Sequence, residues 1–225
     1  MNFRQRLASV RERMEAARAR SGRQDSVTLL GATKGVTVPV LEEALEAGLD
    51  CFGENRMQDA LPKVGALAGR GATWHFIGHL QKNKAAAAVE HFAVVQSVDT
   101  PGLALKLQAA AREAEVSLPV LIEINIGEEA AKTGCPPAGL PALVETLETC
   151  DNLAFEGLMV VPPYHPDPER TRPYFRQMRE LYDRLAGVFP RVRHLSMGMS
   201  EDFEVAIEEG ATMIRVGRAL FGERA

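Results

Sequence analysis

Eight short apolar runs recur along this chain, separated by stretches with helical periodicity, and that alternation constrains the fold more than any other feature. They are VTLLGATKG from Val27, CFGENR from Cys51, WHFIGH from Trp74, VVQSVD from Val94, PVLIEINIG from Pro119, FEGLMVVP from Phe155, HLSMG from His194 and MIRVG from Met213. Strands that alternate with helices are joined by crossovers and run parallel. Eight is the number that closes a (β/α)8 barrel. The intervening helices carry boundary signals, such as Pro39 early in VPVLEEALEAG and Gly48 just past its end. Another helix is expected from Ser200 to Gly210, with Glu201 and Asp202 in its first turn, where the helix dipole favours anions.

Ahead of the first strand, Phe3, Leu7, Val10, Met14 and Ala17 recur at helical spacing. Seven arginines crowd this segment (Arg4, Arg6, Arg11, Arg13, Arg18, Arg20 and Arg23), so a targeting peptide or membrane-surface helix has to be weighed. Glu12 and Glu15 interrupt the basic face, which favours an amphipathic helix docked on the same domain. No linker or composition break divides the chain, so residues 1–225 are expected to form a single domain, a TIM-like (β/α)8 barrel with an additional N-terminal helix. The longest irregular stretch, PPYHPDPERTRP from Pro162 to Pro173, follows the sixth strand and is expected to be a mobile loop on the C-terminal rim.

Composition narrows the functional classes. A formal net charge of −4 argues against a nucleic-acid surface. The three cysteines, Cys51, Cys135 and Cys150, match neither zinc spacing nor a paired framework and read as reduced thiols. No run reaches the roughly 18 apolar residues of a membrane span, and the N-terminus lacks a secretory core. A cytoplasmic protein is expected, without metal, membrane or nucleic-acid partners.

Side chains alternate along strands, which sends Ile122, Ile124, Ile214 and Val216 toward helices and Glu123, Asn125, Arg215 and Gly217 toward the barrel interior. A satisfied structural network, for instance Arg215 with Glu123, would account for some of these groups. It does not account for Lys34, Asn55, Arg215 and the SMGMS run all falling near strand C-termini, the face on which such barrels build ligand sites.

Lys34, at the end of the first strand, is expected to be desolvated and so drawn toward the neutral amine that forms Schiff bases. Ser196, Gly198, Met199 and Ser200, with Gly217, offer hydroxyls and backbone N–H groups in the loops after strands seven and eight, where barrels of this class commonly bind phosphate. One lysine plus one phosphate cradle fits pyridoxal 5′-phosphate (PLP), and fits equally a sugar phosphate held as a Schiff base.

The ordered set GATKG, FGENR, WHFIGHLQKNK, INIGEEAAKTG, EGLMVVPP and LSMGMSEDFEVAIEEGATMIRVGRALFG spans nearly the whole chain and resembles the YggS/PROSC family of PLP homeostasis proteins. The resemblance implies a barrel like the alanine racemase N-terminal domain, with PLP as an internal aldimine on Lys34 and Asn55 beside it. It also implies phosphate contacts from Ser196, Ser200 and the backbone around Gly217, and Arg215 at the pyridine nitrogen. Lys132 matches a lysine proposed to act in PLP transfer or secondary binding. Arg218 stands where some members carry threonine, and strand alternation predicts that it points outward.

Three functions follow. The first, implied by the resemblance, is a PLP carrier with little or no turnover, acting as a monomer or weak homodimer and exchanging PLP with PLP-dependent apo-enzymes. The second is a weak amino-acid racemase, which needs a second base. Alanine racemases recruit a tyrosine through an additional β domain, expected to be absent from a chain ending at Ala225, although Tyr164 lies in the rim loop. The third is a PLP-free Schiff-base aldolase. His75 and His79, with Lys82 and Lys84, form a basic cluster in which His75 reads as a hydrogen-bonded wall residue.

Overall fold

The computed structural model describes residues 1–129 and 132–222; Ala130 and Ala131 of the INIGEEAAKTG run, and the expected domain end at Ala225, lie outside the described residues. Eight strands appear where the apolar runs predict them: β1 (Thr28–Ala32), β2 (Cys51–Glu54), β3 (Thr73–Phe76), β4 (Val94–Val98), β5 (Leu118–Ile124), β6 (Leu153–Val160), β7 (His194–Ser196) and β8 (Met213–Val216). All neighbours pair in parallel, and β8 returns to β1 from Thr28↔Met213 to Gly31↔Val216, so the barrel closes in sequence order. Closure removes the sheet edges that an open parallel sheet would leave.

Nine α-helices accompany the strands among the described residues: α1 (Phe3–Arg20), α2 (Val38–Glu46), α3 (Met57–Ala66), α4 (Ala85–His91), α5 (Pro101–Glu113), α6 (Leu140–Glu148), α7 (Arg172–Ala186), α8 (Phe203–Glu208) and α9 (Arg218–Phe221). The five apolar residues that predict α1 are its buried residues. Asn2 starts it with a capping box, accepting from Gln5 N at 2.9 Å while Gln5 Oε1 accepts from Asn2 N at 3.0 Å. Docking is finished by Phe3 stacked on Phe221, with ring centroids 5.5 Å apart, and by Arg13, which pairs with Glu204 at 2.7 Å. The arginines of α1 thus serve in part to bind the barrel's own acidic helix.

The expected helix at Ser200 begins later, at Phe203, because Ser200–Asp202 form a turn instead. Asp202 turns its carboxylate back to accept from Met199 N at 2.7 Å. The rim segment from Pro162 carries a 3-10 turn at Pro168–Thr171 that buries Thr171.

Most of the core lies between strands and helices, with Phe52, Phe76, Phe175 and Phe203 fully enclosed. A separate, smaller cluster of Leu30, Ile77 and Met213 fills the barrel interior. The rest of the interior wall holds linked polar side chains, and these lie beneath the C-terminal mouth.

Candidate functional site

A cleft of about 640 Å³ opens at the C-terminal mouth, lined by Ala32, Lys34, Asn55, Ile77, Val161, Tyr164, Met199, Ser200, Glu201, Arg215, Gly217 and Arg218. Six of the eight residues expected from sequence to hold a ligand therefore meet on one surface. The other two do not reach it. Ser196 is fully buried below, and Gly198, at φ 93°, is held against Phe203 and Ala206, where a Cβ would lie 2.5 Å from the Ala206 methyl.

Lys34 differs from its expected setting. β1 ends at Ala32, and Lys34 sits two residues further on, in a turn, with its side chain exposed and not desolvated by the strand. The turn is possible because Gly35 takes φ 73°. Its fixed point is Thr33, fully buried and facing away from Lys34. Thr33 N donates to Gly53 O at 2.9 Å, its hydroxyl reaches Glu54 Oε1 at 2.5 Å, and its carbonyl accepts from Val36 N at 2.9 Å and from Lys63 Nζ at 2.7 Å. Lys63 also pairs with the buried Glu54 at 2.5 Å. An exposed amine is thus carried on a clamped backbone.

Opposite Lys34, the loops after β7 and β8 meet at Ser200. Its hydroxyl accepts from Gly217 N at 3.3 Å and Ala219 N at 3.2 Å. The backbone N–H groups of Ser200, Glu201 and Arg218 have no acceptor among the described residues, whereas that of Met199 is occupied by Asp202. Free donors gathered beside a hydroxyl form a cradle suited to phosphate oxygens. The acidic neighbours do not obstruct it: Asp202 faces Met199, and Glu201 pairs with Arg218 at the rim. Arg218 follows the end of β8, so the strand alternation that predicts an outward side chain no longer applies to it.

Arg215 forms the floor. It is buried, as alternation predicts, and it does not make the ion pair with Glu123 that a purely structural network would offer: Nη1 donates to Ser196 Oγ at 2.7 Å and Nη2 to Val160 O at 2.7 Å. Burial draws its pKa down to about 10, while Glu123 and then Asp202 act through space in the other direction, so it is a cation at neutral pH. Burial correspondingly pushes the carboxyls of Glu123 and Asp202 up. Ser196 donates onward to Gln96 Oε1 at 2.7 Å, and Gln96 Nε2 meets His75 Nδ1 at 2.8 Å. His75 is the hydrogen-bonded wall residue that its place in WHFIGH predicts.

Lys132 stands apart, paired with Glu129 at 2.6 Å and 3.5 Å from Pro162 O, which ties the β5–α6 loop to the rim segment. Cys51, Cys135 and Cys150 are free thiols, and no group of ligating side chains suited to a metal occurs among the described residues. Among the described residues no helix is long and apolar enough to cross a membrane.

No motif in the sequence marks Gln96 or Lys63 as part of the site, whereas Glu54 lies within FGENR, where Asn55 is the residue expected to border the ligand. Alternation along VVQSVD is the one signal for Gln96, since it places Gln96 on the same face as Val94 and Val98 and so sets a polar side chain among apolar ones. The Glu54–Lys63 pair joins a strand to the following helix and has no local signature.

The closed parallel barrel agrees with the family model described as "Alanine racemase, N-terminal domain", which matches residues 6–225. The alanine racemase of Clostridium difficile, 16% identical, superposes with a TM-score of 0.75 over 99% of this chain and 59% of its own, a likeness of fold alone. The "Pyridoxal phosphate homeostasis protein" of Aquifex aeolicus is 45% identical over 226 residues, covering 100% of this chain and 99% of the relative. PipY of Synechococcus elongatus PCC7942, whose structure was solved with PLP bound, is 37% identical with a TM-score of 0.85, over 98% of this chain and 100% of PipY. The chain belongs to the family of pyridoxal phosphate homeostasis proteins.

Proposed function

We propose that this chain binds PLP covalently through Lys34 in the cleft at the barrel mouth, and that it holds and releases the cofactor with little or no turnover of a substrate. The observation that carries this reading is the convergence on one cleft of an exposed primary amine, a buried guanidinium and backbone N–H groups that lack acceptors among the described residues. The Lys34 amine condenses with the PLP aldehyde, losing water to form an imine. Ser200 and the free N–H groups around it hold the phosphate, while Asn55 borders the ring. The relatives named for PLP homeostasis, and PLP-bound PipY, support the assignment by similarity.

Arg215 bears on turnover. A cation facing the pyridine nitrogen disfavours protonation of that nitrogen and weakens the electron sink on which amino-acid carbanion chemistry depends. Storage and delivery, with PLP-dependent apo-enzymes as receivers in the cytoplasm, is the function that such a site serves best. A weak racemase is the second reading, favoured by Tyr164, which borders the cleft with 75% of its surface exposed.

The test is borohydride reduction of the protein incubated with PLP, followed by peptide mass mapping. A phosphopyridoxyl group on Lys34 is expected. An unmodified Lys34 under excess PLP sinks the assignment and leaves the sugar-phosphate barrel as the better reading. Solvent deuterium incorporation into alanine, lost in Tyr164→Phe, would instead support the racemase.

A further inference from the structure

The chain of side chains under Arg215 has a direction. Arginine has only donors, so Ser196 Oγ must accept from Nη1 and has one proton left, which goes to Gln96 Oε1. That fixes the Gln96 amide with its nitrogen toward His75 Nδ1, 2.8 Å away, and Met213 Sδ, 3.0 Å away. The last link closes only if His75 Nδ1 carries a lone pair. Every member is buried: Gln96 and Ser196 are fully enclosed, and Arg215 and His75 are nearly so. Burial, followed by the charge of His194, draws the His75 pKa down to about 4, so the ring is neutral at physiological pH, as the chain requires.

Two consequences follow. Arg215 is oriented from below by neutral acceptors, Ser196 Oγ and Val160 O, and among the described residues no carboxylate contacts its guanidinium. Its charge is therefore not cancelled by contact at the floor of the cleft. The hydrogen bonds also all run the same way, from Arg215 to His75, so each polarises the next and a change at one end is felt at the other.

We propose that Gln96 is a positioning residue for the ligand site: through Ser196 it fixes Arg215 beneath the cofactor ring, with His75 as the terminal acceptor that holds the Gln96 amide in the required orientation. This rests on the PLP reading above and extends it to two residues that touch no part of the cleft. Gln96 acts on the guanidinium, whereas Lys34 acts on the aldehyde, so the two contributions are separable.

The experiment is a PLP titration of the full-length protein followed by its visible band, on the parent, Gln96→Leu, Arg215→Met and the double variant. The parent is expected to take up PLP; if it does not, the PLP reading itself fails. Gln96→Leu is expected to weaken PLP affinity roughly tenfold and to shift the band, because one link of a charge-assisted chain is lost. In the Arg215→Met background the same change is expected to have no further effect, since a residue acting through Arg215 has nothing left to act on. An unchanged affinity and band in Gln96→Leu, or a full tenfold loss added to that of Arg215→Met, overturns the positioning role while leaving PLP binding intact. Nitrogen-15 NMR of the ligand-free parent decides the case if the leucine variant fails to fold: a neutral His75 with unprotonated Nδ1 supports the chain, and a proton on Nδ1 overturns it.

Discussion

At the scale of single residues, burial separates two kinds of polar group here. Lys34 is exposed and makes no packing contribution, so Lys34→Ala is expected to leave urea stability within about 0.5 kcal/mol of the parent while abolishing borohydride-fixable PLP. His75 is the opposite case. Its folded pKa lies near 4, below the 6.5 of an unperturbed imidazole. As pH falls through 6.5 the unfolded chain gains a proton that the folded chain refuses, so stability present above that pH drains away toward pH 4. Between pH 7 and pH 5 this amounts to about 2 kcal/mol. His194, also held down by burial, drains stability in the same direction, so the comparison has to be internal. Urea melts at the two pH values should show His75→Gln, which keeps an acceptor for Gln96, losing about 2 kcal/mol less than the parent. Equal losses would assign the slope to other groups.

At the scale of elements, what could be read from the sequence depended on how local the cause was. The strands were legible because apolar runs bounded by turn residues form locally, and α1 was legible because five residues at helical spacing suffice to mark a docked face. The interior placement of Arg215 followed from alternation alone. The exposure of Lys34 was hidden, since it depends on β1 ending at Ala32, and that end is set by Thr33 turning outward to bond Gly53, Glu54 and Lys63. This clamp joins β1, β2 and α3, and no single run of sequence contains it. Glu54 is fully buried, and one of its carboxylate oxygens lacks any partner among the described residues, so the ion pair is its main compensation. Lys63→Met would strip that carboxylate of its counter-charge and leave it the Thr33 hydroxyl, at a cost of about 3–5 kcal/mol. Adding Glu54→Leu should recover much of that loss, because replacing both ions is far cheaper than stranding one. A double variant no more stable than Lys63→Met would mean that the clamp matters through the Thr33 carbonyl more than through the pair.

At the scale of the whole molecule, the barrel divides its labour between a scaffold and a mouth. Closure and the α1 belt hold the shape through large buried apolar faces, whereas the cleft is built from turns and loops that follow strand ends. Changes in the two regions should therefore move different observables. Leu7→Ala, in the buried face of α1, is expected to cost about 2–5 kcal/mol in the ligand-free protein. Its response to ligand should survive, because α1 does not line the cleft. Free PLP at about 100 times its dissociation constant should stabilise the parent by about 2.7 kcal/mol. For a chain of this length that is a rise of about 5–10 °C in melting temperature. Ser200→Ala should show the reverse pattern to Leu7→Ala: a ligand-free melting temperature close to the parent's, and a clearly smaller rise on adding PLP, because the hydroxyl that organises the Gly217 and Ala219 N–H groups is gone. Thermal scans of the three proteins with and without PLP separate the cases. If Ser200→Ala lowers the ligand-free melting temperature as far as Leu7→Ala does, the mouth is part of the scaffold. The free N–H groups after β7 and β8 would then be a by-product of packing, and the cradle would lose its claim to the phosphate.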